Sequence, residues 1–203
     1  MNDTLSYIAV DTSSRYLTVL AKCRGGKALR YTPECAMRHS VILMDEISKA
    51  LSEAGMEPKD ADFFAAVTGP GSFTGIRIGI SAVKGFALAC GKPMMGITSF
   101  DLLADGIRDE RFYVVIDAGH DHYYVQGYEG GCPLQPAFMP GDKVRAYDAP
   151  LYGFEDLPLD GYTRLNPGDM LEGAVESGRH PLGDAIEALY VRKSQAEEAR
   201  ECR

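Results

Sequence analysis

The run GPGSFTGIRIG, Gly69–Gly79, is the segment of this chain that is most informative about its fold. It follows the apolar segment Phe63–Val67, which predicts a buried strand, and it leads into Ile76–Ala89, which predicts a helix. A glycine-rich turn between a strand and a helix requires unusual φ values or close approach by another backbone segment. Backbone N–H groups in such a turn can also hold an anion. The run therefore predicts an α/β unit with a special turn between strand and helix.

The established phosphate-binding motifs do not match this turn. A P-loop requires Lys followed by Ser or Thr after its last glycine, whereas Ile76 and Arg77 follow Gly75. The dinucleotide fingerprint has the spacing G-x-G-x-x-G, whereas the spacing here is G-x-G-x-x-x-G. A rigid turn that packs a helix on a sheet therefore competes with nucleotide binding. The candidate nucleotide-binding residues of the turn are Gly69, Gly71 and Ser72.

Gly75 and Gly79 lie four residues apart, on one face of the predicted helix. Glycine in a helix costs about 1 kcal/mol relative to alanine, so two on one stripe indicate that another segment must come close. Small residues at this spacing let two helices approach each other. The approaching helix belongs either to this chain or to another protein, and the sequence leaves both alternatives open.

The helix predicted over Val41–Ala54 has apolar residues at helical spacing and four consecutive ones at Val41–Met44. A surface helix needs one apolar face, so a second apolar face means deeper burial or a partner. Paired with the glycine helix, it can form a four-helix bundle with two helices of another subunit. The candidate partner-interface residues are His39, Leu43, Met44, Ile47, Leu51, Gly75, Gly79 and Val83.

The predicted element order is a three-stranded meander followed by helix, strand and helix. The strands of the meander are Tyr7–Val10, Tyr16–Lys22 and Ala28–Thr32. This order matches one half of an actin-like ATPase (ASKHA) fold, so we expect an α/β protein with subdomains at residues 1–99 and 100–203, the second reduced. In the second half we expect a helix at Leu102–Ile107, strands at Arg111–Asp117 and His122–Tyr128, short helices at 169–178 and 183–189, and a frayed tail at Gln195–Arg203.

The longer run Gly69–Ala104 strongly resembles the TsaB (YeaZ) family of bacterial proteins. Four further segments are similar to that family: Ile8–Ser13, Arg38–Met44, Ile116–Ala118 and Leu189–Glu197. The resemblance therefore extends over nearly the full length of the chain, and its central motif is specific.

This resemblance implies a non-catalytic subunit of the bacterial machinery that makes N6-threonylcarbamoyladenosine (t6A) at position 37 of tRNA. The implied partners are a TsaD-type subunit, which carries the metal and transfers the threonylcarbamoyl group, and a TsaE-type ATPase. ATP and metal are then expected on the partner subunits and not on this chain, which meets tRNA only through the complex. The first subdomain is implied to bind the partner, and a homodimer through the same surface is implied for the chain alone.

Asp11, Thr12 and Ser13 are further candidate nucleotide-binding residues, because in actin-like ATPases this turn holds the phosphates and their metal. The competing interpretation is an Asx turn, in which the carboxylate accepts nearby backbone N–H groups. A working ATPase needs a second such turn, for which Asp117 is the candidate. The TsaB family usually has Arg where Gly119 stands, and this departure removes a positive group.

The histidines do not predict a metal centre or a catalytic residue. The related TsaD family binds a metal through two histidines four residues apart on its first helix, whereas Leu43 follows His39 at that spacing. His120 and His122 offer only a weak second pair. Asp11 and the glycine turn keep a rival open, an independent ATP-dependent enzyme or peptidase of the actin-like superfamily. The missing metal ligands oppose that rival.

Composition narrows the class of protein. The net charge of −8 is uneven, with 11 basic and 9 acidic residues in the first hundred and 10 and 20 in the remainder. The acidic second half disfavours a stand-alone RNA-binding module. Five scattered cysteines without a C-x-x-C motif favour reduced thiols in the cytoplasm. We expect neither a membrane span nor a signal peptide.

Overall fold

The computed structural model of the protein describes residues 5–191, which form twelve strands and five α-helices. The strands are β1 (Tyr7–Asp11), β2 (Leu17–Cys23), β3 (Gly26–Thr32), β4 (Phe63–Val67), β5 (Met94–Ile97), β6 (Arg111–Gly119), β7 (His122–Glu129), β8 (Cys132–Pro133), β9 (Ala137–Pro140), β10 (Leu151–Gly153), β11 (Tyr162–Arg164) and β12 (Leu182–Gly183). The helices are α1 (His39–Ala54), α2 (Phe73–Cys90), α3 (Ser99–Ala104), α4 (Gly141–Val144) and α5 (Pro167–Glu176), with a 3-10 turn at Pro58–Asp60.

The first sheet has the strand order β12-β5-β4-β1-β2-β3. Strands β1, β2 and β3 form the predicted antiparallel meander, and β4 and β5 add in parallel on the other side of β1. All residues of β1 and β4 are buried, as expected for central strands covered on both faces. Helices α1 and α2 cover one face, and α5 covers the other.

The predicted domain boundary at residues 99 and 100 is wrong. The chain divides into one unit that runs to Ile107 and takes in Leu165–Ala188, and a second that holds Arg108–Arg164 and continues from Leu189. Helix α3 joins the first unit because Leu102 packs in the same core as Leu171 and Val175 of α5. The first unit is therefore discontinuous in sequence, and the second is smaller than predicted.

Two predicted elements near the end of the described chain have different outcomes. The helix expected at 169–178 is confirmed as α5. The helix expected at 183–189 is wrong, because Leu182 and Gly183 pair as β12 with the sheet edge at β5 and Ile186 enters the core beside Gly96. The predicted frayed tail, Gln195–Arg203, lies outside the described residues.

The second unit is built on the antiparallel pair β6 and β7, which confirms the two strands predicted there. Its sheet has the order β11-β10-β6-β7-β8, and β9 also pairs with β7. One face of this sheet carries an apolar cluster that includes Val115, Val125, Val144 and Leu151. The turn between β6 and β7 holds Gly119 at φ +79°, a left-handed conformation that favours glycine.

Helix α2 has 18 residues and a mean hydropathy of 1.3, so it is long and apolar enough to cross a membrane by those two measures alone. One such helix is weak evidence of a span, because the core helix of a soluble protein passes the same test. In this structure α2 packs on the first sheet through Ile76, Ile80, Val83 and Ala87.

Candidate functional site

The turn after β1 forms a closed arrangement around the Asp11 carboxylate. One oxygen accepts the backbone N–H of Ser13 at 2.9 Å, and the other accepts the Tyr16 hydroxyl at 2.9 Å. Asp11 is 0% exposed, and this burial raises the pKa of its carboxyl group, while the hydrogen bonds from Ser13 and Tyr16 oppose the shift. The i to i+2 bond to Ser13 is the Asx turn that competed with nucleotide binding.

The glycine turn packs directly against this Asx turn, backbone on backbone. A Cβ atom added at Gly71 would lie 2.2 Å from the Ser13 carbonyl oxygen, and one added at Gly75 would lie 2.1 Å from the Thr12 carbonyl oxygen. The backbone N–H of Ser72 donates to the Ser13 carbonyl at 2.6 Å, and the Thr12 hydroxyl donates to the Gly75 carbonyl at 2.7 Å. No side chain fits between the two turns, which is why the sequence needs glycine at both places.

This packing contradicts the nucleotide-binding prediction. Asp11, Thr12 and Ser13 are at most 1% exposed, so they present almost no surface to a nucleotide in this structure. The other three predicted residues, Gly69, Gly71 and Ser72, form the rigid turn that holds α2 on the sheet. Gly119 likewise serves a turn, since its N–H donates to the Asp117 carboxylate at 2.8 Å.

The structure does not support Gly75 and Gly79 as partner-interface residues, because their close neighbours belong to the same chain. A Cβ atom added at Gly79 would lie 2.5 Å from the Thr12 hydroxyl oxygen and 3.6 Å from a Val10 methyl carbon. The close neighbour of α2 is therefore β1 and the turn that follows it, within the same chain. The sequence signal for a close approach was correct, but a strand supplies that approach and not a helix.

Most of the other predicted interface residues are core residues and need the same correction. Their exposed fractions are 4% for His39, 2% for Leu43, 2% for Ile47, 8% for Leu51 and 2% for Val83. The ring nitrogen Nε2 of His39 lies 2.9 Å from the Tyr16 carbonyl oxygen, which fixes the imidazole inside the first unit. Only Met44, 53% exposed, lies on the surface as predicted. The apolar stripe of α1 therefore packs against the first sheet, within the core of the same unit.

A groove between α1 and α2 is the open apolar feature of these two helices. It has a volume of about 470 Å³. Its lining residues are Ser40, Leu43, Met44, Phe73, Thr74, Arg77, Ile78, Ser81 and Ala82. Large apolar side chains on and beside the same two helices are exposed, with Met37 at 96%, Val41 at 71% and Leu88 at 86%. An exposed apolar surface of this kind is typical of an interaction site.

Sequence reasoning missed most of this groove. The four consecutive apolar residues Val41–Met44 did signal a second apolar face on α1, and Val41 and Met44 are its exposed members. On α2 the sequence prediction relied on the glycines, whereas Phe73, which is 41% exposed, and Arg77 line the groove. The signal available was Ile78 and Leu88, two apolar residues of α2 outside its buried stripe.

Residues 5–191 contain no group of three or more His, Cys, Asp or Glu side chains that could hold a metal ion. His122 directs its Nδ1 to the His120 carbonyl oxygen at 2.8 Å and stacks its ring on Phe138. His39 lies 3.4 Å from the Cys35 sulfur, and the pKa of that thiol is raised by burial.

Comparison with known proteins shows the family to which this chain belongs. The family described as "TsaD: tRNA N6-adenosine threonylcarbamoyltransferase" matches residues 31–133, which is half of the chain. The chain belongs to this family. Curated TsaB proteins and solved YeaZ structures match as well, so the TsaB (YeaZ) assignment made from the sequence is confirmed.

Several relatives define how far this likeness extends. The chain is 27% identical to TsaB of Bacillus subtilis over 71% of its own length and 64% of that protein. It is 29% identical to TsaB of Escherichia coli over 60% of its length and 54% of that protein. A tRNA N6-adenosine threonylcarbamoyltransferase of Lactobacillus acidophilus is 37% identical over 41% of this chain and 25% of that enzyme. The chain therefore spans less than two thirds of the length of these curated relatives.

Two solved structures from Pseudomonas aeruginosa match nearly the whole fold. One, described as similar to peptidase YEAZ, is 25% identical with a TM-score of 0.73 and covers 93% of this chain and 100% of that one. The other, YeaZ, is 24% identical with a TM-score of 0.72, covering 92% and 100%. The predicted α/β fold is thereby confirmed as the fold of the YeaZ structures.

Proposed function

We propose that this chain is a non-catalytic subunit in the formation of t6A at tRNA position 37, where it binds and supports a TsaD-type transferase. The observation that carries the proposal is the open apolar groove between α1 and α2, together with the closed turn at Asp11. The family points to the t6A pathway, and the exposed apolar helix surface points to a protein partner. The packed glycine turn argues against an independent ATP-dependent enzyme.

The proposed partner surface follows from the extent of the family match. Residues 31–133 include both α1 and α2, so a TsaD-type protein carries a segment related to this helix pair. Two related helix pairs can meet face to face with approximate two-fold symmetry, as in a four-helix bundle. We propose that Met44, Val41 and Phe73 supply the centre of that contact, because Met44 and Phe73 are the large exposed apolar side chains that line the groove and Val41 is exposed on the same helix as Met44.

The remaining roles belong to the complex and not to this chain. We propose that ATP and metal are held by the partner subunits, that a TsaE-type ATPase joins them, and that tRNA is met only through the complex. The acidic second half, with 10 basic and 20 acidic residues after residue 100, supports this division. Without its partner, the chain would pair with a second copy through the same helices. We place the complex in the cytoplasm, where tRNA is modified.

The proposal is tested by one substitution at the centre of the surface and one matched control. Met44→Glu puts a charge into the groove and is expected to weaken binding to a purified TsaD-type subunit by about 2–3 kcal/mol, or roughly 30–150-fold. Leu29→Glu changes a residue that is 43% exposed on β3, on the sheet face away from α1, and should leave binding unchanged. Titration calorimetry measures both, and thermal melts check that each variant folds. Equal affinities for a folded Met44→Glu variant and the wild type would refute the surface.

A further inference from the structure

The turn that leads into α1 holds the most exposed large apolar side chain within residues 5–191. That residue is Met37, which is 96% exposed. Its backbone φ is +69°, in the left-handed region that residues with a Cβ atom seldom adopt. Met37 lies three residues before Ser40, which lines the α1–α2 groove, and four before the exposed Val41. It therefore stands at the start of the proposed partner surface, in an unfavourable backbone conformation.

The conformation of Met37 is that of the third residue of a type II turn. The N–H of Arg38 donates to the Cys35 carbonyl at 2.9 Å, which closes a four-residue turn. Within it φ is positive at Met37 but not at Ala36, and this combination defines type II. Such a turn favours glycine at its third place, because glycine has no Cβ atom. Neither the turn geometry nor the exposure of the side chain favours methionine over glycine here.

The turn is fixed to the core on both sides of Met37. Cys35 is 2% exposed, and its N–H donates to the Arg15 carbonyl at 2.6 Å. The Cys35 sulfur lies 3.4 Å from Nε2 of His39, and the same ring nitrogen lies 2.9 Å from the Tyr16 carbonyl oxygen. Because buried residues hold the turn two positions before and two positions after Met37, its backbone has little freedom to lose when a partner binds.

We propose that Met37 is an anchor residue for partner binding, and that its side chain inserts into an apolar pocket of the TsaD-type subunit. Unfavourable backbone conformations that the surrounding structure holds in place are concentrated at functional sites. Burial of the methionine in a pocket removes a large apolar surface from water, and the flexible thioether adapts to an irregular pocket. The inference rests on the proposed function, because the partner is the TsaD-type subunit, and it adds a contact outside the groove.

Substitution of Met37 by glycine tests the anchor, because binding and stability should change in opposite directions. Met37→Gly supplies the residue that the turn favours, so the melting temperature should rise by about 1–4 °C. The same variant lacks the anchor and should bind a purified TsaD-type subunit about 10–100-fold more weakly. Met37→Leu keeps a large apolar side chain and should bind within about threefold of the wild type. Thermal melts and titration calorimetry measure the two quantities.

Glu34→Gly is the matched control in the same connecting segment. Glu34 is exposed and also left-handed, with φ +51°, so its replacement by glycine should raise the melting temperature as well. Its ion pair with Arg15, at 3.9 Å between side chains that are 74% and 56% exposed, contributes little to stability. Because Glu34 offers no apolar side chain to a pocket, this variant should change the affinity less than about threefold.

The outcomes separate the anchor from the rest of the surface. Equal affinities for Met37→Gly and Glu34→Gly would overturn the inference, and so would a melting temperature that falls in Met37→Gly. Loss of self-association in Met37→Gly with unchanged binding to the TsaD-type subunit would also overturn it, because Met37 would then contact a second copy. If the wild type fails to bind the TsaD-type subunit, the proposed function and this inference fail together. If the wild type binds and Met37→Gly binds equally well, only this inference fails.

Discussion

Substitution of Gly75 by alanine tests the packing of the glycine turn most sharply. The new Cβ atom would lie 2.1 Å from the Thr12 carbonyl oxygen, more than 1 Å inside ordinary contact distance. That oxygen belongs to the backbone of a fully buried turn, so it cannot swing aside as a side chain can. The turn and the start of α2 must separate, which breaks the hydrogen bond from the Thr12 hydroxyl to the Gly75 carbonyl at 2.7 Å.

The expected free-energy change follows from three contributions. Overpacking of a close contact costs about 1–3 kcal/mol, and the lost buried hydrogen bond costs about 1–2 kcal/mol. Alanine is a better helix former than glycine by about 1 kcal/mol, which offsets part of the loss. The net destabilisation of the first unit is therefore expected at about 1–4 kcal/mol. For a chain of this size that corresponds to a melting temperature lower by roughly 2–16 °C.

The control lies on the same helix. Gly85 is exposed, and an added Cβ atom there meets nothing within 4 Å. Gly85→Ala should therefore stabilise the protein by about 0.5–1 kcal/mol through helix propensity alone. Urea unfolding followed by circular dichroism compares the two variants with the wild type. If Gly75→Ala matched Gly85→Ala in stability, the close approach of α2 to the turn after β1 would be refuted.

Two further predictions concern buried charge in the first unit. Burial raises the pKa of Asp11 above its ordinary value of 3.8, so the wild type should lose stability as the pH rises from the unfolded-state pKa to the folded-state pKa. Asp11→Asn should remove that loss. Urea unfolding at a series of pH values measures it, and one shared pH profile for both proteins would count against the reasoning. Lys22 bridges Glu172 at 3.0 Å and Glu176 at 2.5 Å with 16% of its side chain exposed, so Lys22→Met should cost about 1–2 kcal/mol by leaving two partly buried carboxylates together. Lys59→Met, which breaks an ion pair between side chains that are 73% and 67% exposed, should leave the unfolding midpoint unchanged, and an equal shift in both Lys variants would contradict the role of burial.

Most strands and helices of the first unit could be predicted because their signals are local, whereas β12 was expected as part of a helix. The alternation in β2, the hairpin turn before β3, the continuous apolar runs of β1 and β4, and the helical spacing of α1 each lie within one short segment. The rule that short connections favour neighbouring elements gives the β1–β2–β3 meander, whereas the place of β4 beside β1 follows from the match to the half-domain of the actin-like fold. The glycine turn was likewise found from its spacing, since a requirement for close approach leaves a mark on the sequence itself.

The identity of the neighbour could not be predicted from the same signals. Gly79 indicates that something comes close to α2, but Val10 and Thr12 are more than 60 residues away in the chain. Periodicity shows that α1 has an apolar stripe, yet it does not say whether a sheet or a partner covers Ile47 and Leu51. The return of α5 to the first unit depends on contacts of Leu171 and Val175 with distant strands. Such long-range choices are settled by packing and not by local pattern.

The most direct test of the central claim is tRNA modification in a reconstituted system containing a TsaD-type subunit, a TsaE-type ATPase, ATP, threonylcarbamoyl donor and substrate tRNA. We expect t6A to form when the wild-type chain is added and to fall to the level without the chain when Met44→Glu replaces it, while Leu29→Glu supports normal formation. The chain without its partners should form none. Formation of t6A by this chain alone, or normal formation with Met44→Glu, would contradict the account of a supporting subunit that acts through the α1–α2 groove.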